Sequence, residues 1–192
     1  AEEIAQPEED NMTLVSVKTK KGVIFEAENV KKADRVDSSV KWNITKPYKK
    51  PQAPDSDNWS TTLGYFNSMT LGDLVDYDAK DHMEKYGLEN PASVITVQYK
   101  KSKKNRTITL YVGEKTDDSY YVRQKDSDSV YKMDADSVEN MTKINAYEVM
   151  EHTVYGKLAN EVDGFDAIYG TTKLHAVRTE KKVTKKKSDD SD

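Results

Sequence analysis

The sequence predicts an α+β fold in which antiparallel sheets are packed by helices, and three observations carry that reading. Short runs of alternating apolar and polar residues, bounded by turn-forming segments, recur between 12 and 45 and again between 93 and 133. Behind a capping residue the spacing twice switches to the helical one, at 56–70 and at 136–144. Pro47, Pro51 and Pro54 separate the first strands from the first helix, because no helix runs through prolines at that spacing.

Residues 13–30 hold two short apolar runs around a Lys-Lys-Gly turn, where Gly22 supplies the positive φ of a tight hairpin. A third strand is expected at 39–45: Val40, Trp42 and Ile44 alternate with Lys41, Asn43 and Thr45, which puts Trp42 on the buried face. The prolines then impose an extended, solvated linker. Ser56 or Asp57 caps a helix in which Trp59, Leu63, Phe66 and Met69 form an aromatic and aliphatic stripe, ending near Thr70. A second, short helix is expected over 79–86, with Asp78 as its N-cap and Gly87 in the left-handed position after its end; Pro91 keeps it from resuming.

The segments VITVQYKK, RTITLYVG, SYYVRQK and SVYKM read as an antiparallel meander. Ile108, Leu110 and Val112 share one face and Thr107, Thr109 and Tyr111 the other, as in a sheet covered on one side. Asp136 with Glu139 has the form of a capping box, opening a helix that turns Val138, Met141 and Ile144 inward. Strands followed by a capped helix thus occupy 12–70 and again 93–150, which suggests two copies of one α+β unit. FDAIYG and KLHAVR pair as a last hairpin through Gly170.

The ends differ in kind from the body, which is taken as residues 11–178. Residues 1–10 contain five acids and 179–192 are rich in Lys and Asp, so both are expected to be a disordered leader and a disordered tail. The acidic, proline-containing start without an initiating Met reads as the beginning of a mature exported protein, downstream of a removed signal or lipid anchor. The Lys-rich stretch offers a contact for anionic lipid or wall polymer, although its interleaved acids weaken that and a solvated tail is the simpler reading.

The formal net charge of −4 resides in the ends, which leaves the body neutral and without the clustered cations that phosphate binding requires; nucleic acid is excluded as a partner. With no Cys, disulfides, thiolate nucleophiles and Cys-ligated metals are excluded as well. His82, His152 and His175 lie in no metal-binding spacing. The runs Asp73, Asp76, Asp78, Asp81 and Asp126, Asp128, Asp134, Asp136 lack the pattern of a calcium loop, and helix caps and turns account for them. No nucleophile elbow or glycine-rich phosphate loop is present. No catalytic, metal or cofactor-binding residue is therefore named, and no cofactor is expected.

Three landmarks carry a resemblance. They are W-x-I-x-x-P (Trp42, Ile44, Pro47), Y-G-L-x-N-P (Tyr86, Gly87, Leu88, Asn90, Pro91), and L-x-V-G ahead of Y-Y-V (Leu110, Val112, Gly113, Tyr120, Tyr121, Val122). In this order they resemble the bacterial DUF4340 domain family of exported or membrane-anchored proteins. The resemblance implies an envelope protein, in some members neighbour to the ABC-type transporter components of gliding motility. The motif residues themselves have a structural account: Tyr86 closes the short helix, Gly87 caps it, Leu88 packs back and Pro91 starts the next strand extended.

The expected function is that of a non-enzymatic extracytoplasmic envelope domain, a lipoprotein in its native form, held at the membrane only by a removed N-terminal anchor. Its expected partner is another envelope protein, such as a transporter subunit. The alternative is a module that binds cell-surface glycan or wall polymer, motivated by Tyr99, Tyr111, Tyr120, Tyr121 and Tyr131 on the strands, since exposed aromatic faces stack on sugars.

Overall fold

The structure, a computed structural model, describes residues 3–152 and 162–179. They belong to two compact units, a body up to His152 and a second unit beyond it, and each is described by itself.

The body is one sheet of eight strands rather than two sheets. In chain order they are β1 (Met12–Thr19), β2 (Gly22–Asn29), β3 (Trp42–Lys46), β4 (Leu74–Asp76), β5 (Ser93–Lys101), β6 (Lys104–Lys115), β7 (Ser119–Gln124) and β8 (Val130–Asp134). Across the sheet the order is β3-β2-β1-β5-β6-β7-β8-β4, and every pairing is antiparallel. The first strands run outward from β1 on one side and the meander runs outward from β5 on the other. The β1–β5 ladder, from Leu14↔Gln98 to Thr19↔Ser93, joins them at the centre.

Helices α1 (Ser56–Asn67), α2 (Ala135–Thr142) and α3 (Ala146–Val149) cover one face. The expected stripe is there: Trp59, Leu63 and Phe66 of α1, with Met69 just beyond it, are buried against Val17, Phe25, Ile44 and Ile95 of the sheet. Trp59 lies between Trp42 and Phe25, with ring centroids 5.1 and 6.4 Å away. From α2, Val138 and Met141 are buried, and Ile144 after it is half-buried on the same core.

Several local expectations are corrected. The N-cap of α1 is Asp55, whose side chain accepts from the Asn58 amide, and that of α2 is Asp134, which accepts from the Ser137 amide. Each helix begins one or two residues earlier than expected, because the carboxylate that reaches the free amides is the one still on extended backbone. Glu139 accordingly closes no capping box. The 79–86 segment is not an α-helix but two 3-10 turns over Lys80–Tyr86, broken at His82 (φ −144°), and Ala79 rather than Asp78 stands at its N-cap. The proline linker is extended but pinned: Gln52 exchanges two backbone hydrogen bonds with Ile44, and Pro54 bridges to Met150.

Residues 3–11 also differ from the free leader expected from their charge. Ile4 and Pro7 are buried, Gln6 donates to the Met69 carbonyl at 3.4 Å, and Lys41 pairs with Asp10 at 2.7 Å. Two apolar side chains suffice to fold an otherwise acidic strand of chain onto the core. Of the charged tail, residues 180–192 lie outside the described residues.

The second unit contains the expected hairpin, β9 (Gly164–Tyr169) and β10 (Thr172–Val177), which turns at Gly170 with φ +59°. No helix among the described residues is long and apolar enough to cross a membrane.

Instead of capping, Glu139 ties α2 to the sheet. It accepts from Lys115 Nζ of β6 at 2.8 Å, from Lys143 Nζ at 2.5 Å and from the Tyr120 hydroxyl of β7 at 3.0 Å. These donors, Lys115 first, lower its carboxyl from the ordinary 4.5 to about 2. A carboxyl depressed in the folded state stabilises the fold above its unfolded pKa and loses that contribution as pH falls toward the folded one. Thermal melting followed from pH 5 down to pH 2 should therefore show a steeper loss for the wild type than for Glu139→Gln, with the variant less stable at neutral pH. Parallel pH profiles for the two proteins would contradict the assignment.

Candidate functional site: a junction on the second face of the sheet

Alternation along β6, β7 and β8 sends Tyr111, Tyr121 and Val130 to the face away from the helices, where the expectation was a face left open. The chain between β4 and β5 covers it. Ala79, Tyr86 and Leu88 are buried there against Val130, with Met83, Tyr111 and Tyr121 packed around them. Over this half the sheet is thus enclosed on both sides. The Tyr86 and Tyr121 rings meet edge to face at 5.1 Å.

Two glycines make the close approach work. Gly87 is left-handed, φ +67°, and its amide donates to the Glu84 carbonyl while Leu88 N–H donates to that of Met83, closing the last turn. A Cβ on Gly87 would stand 2.6 Å from Glu114 Cγ. One residue earlier on β6, a Cβ on Gly113 would stand 2.1 Å from the Tyr86 carbonyl oxygen and 2.9 Å from Leu88 Cγ. At Gly113 the strand backbone itself is the packing surface, so the position admits no side chain.

Polar contacts fasten the same segment to the sheet edge. Asp76 of β4 accepts from the Asp78 amide at 3.1 Å and from the Tyr86 hydroxyl at 2.9 Å, and lies 2.6 Å from His82 Nε2. The Asp78 amide, then the His82 ring, hold the Asp76 carboxyl below the usual range; burial pushes the Tyr86 phenol up. Beside this lies an open groove of about 680 Å³, whose lining includes His82, Met83, Lys85, Leu88, Glu89 and Arg123. Arg123 is held over the Tyr111 ring, 4.5 Å from its centroid, and donates to the Ser127 carbonyl. Charges of both signs line the groove. Among the described residues no hydroxyl nucleophile is hydrogen-bonded to His82, and no three His, Asp or Glu side chains gather as metal ligands. What this arrangement does physically is bind an edge strand, a 3-10 segment and β6 into one piece.

The landmark residues divide accordingly. Tyr86, Gly87, Leu88, Gly113 and Tyr121 meet at the junction. Trp42 and Pro47 belong to the opposite edge of the sheet, Trp42 within the helix-side core and Pro47 exposed after β3. Asn90 and Pro91 line a separate shallow groove with Lys18, Thr19, Lys20 and Val94. Asp76, Ala79 and Glu114 belong to the junction without having been singled out by sequence. Asp76 sat in an acidic run read as caps and turns, and the close approach of Glu114 to Gly87, between residues far apart along the chain, leaves no trace in composition.

Fold and junction together define a class: an α+β domain on a single antiparallel sheet, with a glycine-mediated clasp on the face away from its helices. The model of one family, Domain of unknown function (DUF4340), matches residues 42–192, and the chain belongs to that family. No curated protein and no solved structure matches the chain.

Substitution tests the clasp directly. Gly113→Ala should cost at least about 1–3 kcal/mol in chemical denaturation, the usual range for overpacking, because the intruded atom is a carbonyl oxygen rather than a flexible side-chain end. Gly64→Ala, on α1 with nothing within 4 Å of the added Cβ, is the control and should be neutral or stabilising. Equal effects at the two glycines would contradict the reading.

Proposed function

We propose that this chain is a non-catalytic, extracytoplasmic envelope domain that acts by holding another envelope protein, and that its contact edge is β4. The setting is the one the family resemblance implies, and the state of the two sheet edges supports the mode. The outer side of β3 is occupied by the chain's own Gln52. The outer side of β4 is paired with no strand among the described residues, and Leu74, Val75 and Tyr77 stand exposed along it, 49% and 78% for Leu74 and Tyr77. An unpaired edge with apolar side chains is a template for strand addition, here a short one of three residues flanked by Asp73 and Asp78, so that the contact is carried by Leu74, Val75 and Tyr77. The junction holds this edge in place through Asp76. A transporter component is the partner class that the family resemblance implies, with the native protein exported and lipid-anchored.

The same reading takes 12–70 and 93–150 as two copies of one unit. Its support is topological: each half runs outward from the central β1–β5 pair as an antiparallel meander and then sends a helix to the same face. The glycan reading has no comparable support. Tyr131 is buried, Tyr99, Tyr111, Tyr120 and Tyr121 are half-buried, and the five divide between the two faces instead of forming an exposed row.

Crosslinking and affinity recovery from intact cells, with the native anchored protein, tests the proposal. Wild type should recover an envelope protein, and Leu74→Lys with Tyr77→Lys should reduce that recovery at least about tenfold while the melting curve stays within about 0.5 kcal/mol, as for surface changes. Recovery of no envelope protein, or recovery indifferent to the edge charges, would overturn it.

A further inference from the structure

The body is neutral on average but not locally. Where β5 turns into β6, residues 100–106 hold Lys100, Lys101, Lys103, Lys104 and Arg106 with no acid among them, all exposed. This corrects the expectation that the body has no clustered cations. The ribbon that carries them stands out from the sheet. On one side β1 accompanies β5 no further than Tyr99, opposite Met12, and on the other β7 accompanies β6 no further than Leu110, opposite Gln124. Lys101 pairs directly with Lys104, and like charges facing each other across a rung cost stability. The turn at the tip holds Ser102 at φ 51° and Lys103 at φ 64°, a left-handed conformation in which glycine or asparagine is the easier residue. Among the described residues none of the five cations is ion-paired. Of the acids in the segment beside the ribbon, Glu8 accepts from the Asn11 side chain at 3.1 Å and Asp10 from Lys41 at 2.7 Å.

Cations left unpaired on a protruding tip fit an anionic surface, and their distribution fixes its shape. Directly paired residues share a side of the ribbon, so Lys101, Lys104 and Arg106 lie on the side of Tyr99, toward the helices, while Lys100 and Asn105 take the other and Lys103 stands at the turn. A linear polyanion laid along either side meets only part of this charge. A plane met end-on by the tip collects it from both sides, and Arg106, about 7 Å back from Lys104 along the strand, is still within a Debye length of such a plane. Ala5, Gln6, Pro7 and Glu8 run beside Tyr99, Lys100, Lys101 and Ser102 along one shallow groove, so a lipid anchor ahead of them would hold this end of the body toward the membrane. We propose that the β5–β6 tip docks end-on against a bilayer containing anionic phospholipid, with Lys100, Lys101, Lys103, Lys104 and Arg106 facing the headgroups. Its setting rests on the envelope reading above; its charge complementarity does not.

The test uses the full purified chain and lipid alone, so it stands or fails apart from any protein partner. Vesicles of phosphatidylcholine with phosphatidylglycerol should sediment the wild type at low salt and release it as salt rises, and vesicles of phosphatidylcholine alone should sediment at least about tenfold less. Lys101→Gln with Lys103→Gln and Lys104→Gln should weaken binding to the anionic vesicles at least about tenfold, since each cation near such a surface is worth about fivefold. The control removes the same charge from the opposite end of β1: Lys18→Gln with Lys20→Gln and Lys21→Gln should change binding less than about twofold, because those lysines lie beyond screening distance of the docked plane. Both triple variants alter exposed residues and should melt as the wild type does. Absence of sedimentation with anionic vesicles overturns the proposal, as do equal binding to neutral vesicles and equal losses in the two triple variants, which would reduce the effect to net charge. Inorganic polyphosphate that binds the chain more tightly than the anionic vesicles do, and is released by the tip variant, also overturns it, by showing that a linear polyanion is what the tip holds.

Discussion

The body depends on the ladder between β1 and β5. Among the described residues it is the only strand pairing that joins the first strands to the meander, and it lies at the centre of the sheet, where Val15 and Val17 of β1 and Ile95 and Val97 of β5 are fully buried under the helices. Remove β1 and the meander would lose its neighbour along the whole of β5, while β3 would lose the strand through which it reaches the rest. The family match begins at Trp42, the first residue of β3, and so leaves out β1 and β2. The matched stretch therefore starts inside the fold: the body requires residues from Met12 onward, and Ile4 and Pro7 add to its core.

On the second face a different constraint operates, steric rather than hydrophobic in origin. Gly113 lets the Tyr86 carbonyl lie directly on the backbone of β6, and this brings Leu88 and the Tyr86 ring into contact with Tyr111, Tyr121 and Val130. Burial of those groups holds the 3-10 segment, and Asp76 carries the restraint across to β4. The landmark residues around Gly87 thus describe how a cover is fastened to a sheet. The chemistry at this place, a carboxylate shared by an imidazole, a phenol and an amide, serves the same fastening.

The strand and helix content was legible because it rests on local periodicity. The alternation of Ile108, Leu110 and Val112 and the spacing of Trp59, Leu63 and Phe66 survive into the structure unchanged, as does the turn at Gly170. What sequence missed depends on partners distant along the chain. Sequence pointed to Asp136 as the cap of α2, but the carboxylate that reaches the Ser137 amide is that of Asp134, while Glu139 pairs with Lys115 and Tyr120 across on the sheet. Buried Asn43 offered no hint that its side chain would bridge the Val36 amide and the Asp34 carbonyl of the preceding loop. At the junction, Gly87 was legible as a cap, but its contact with Glu114, and the role of Gly113 altogether, required knowing which strand passes beneath.

The measurement that bears most directly on this account compares the full chain with a piece containing only residues 42–192, by near-ultraviolet circular dichroism and thermal melting. The full chain should melt cooperatively, and the shorter piece, deprived of β1 and β2, should show neither fixed aromatic signals nor a cooperative transition. A 42–192 piece that melts as sharply as the full chain, with the same aromatic spectrum, would contradict the claim that the fold hangs on the β1–β5 pairing.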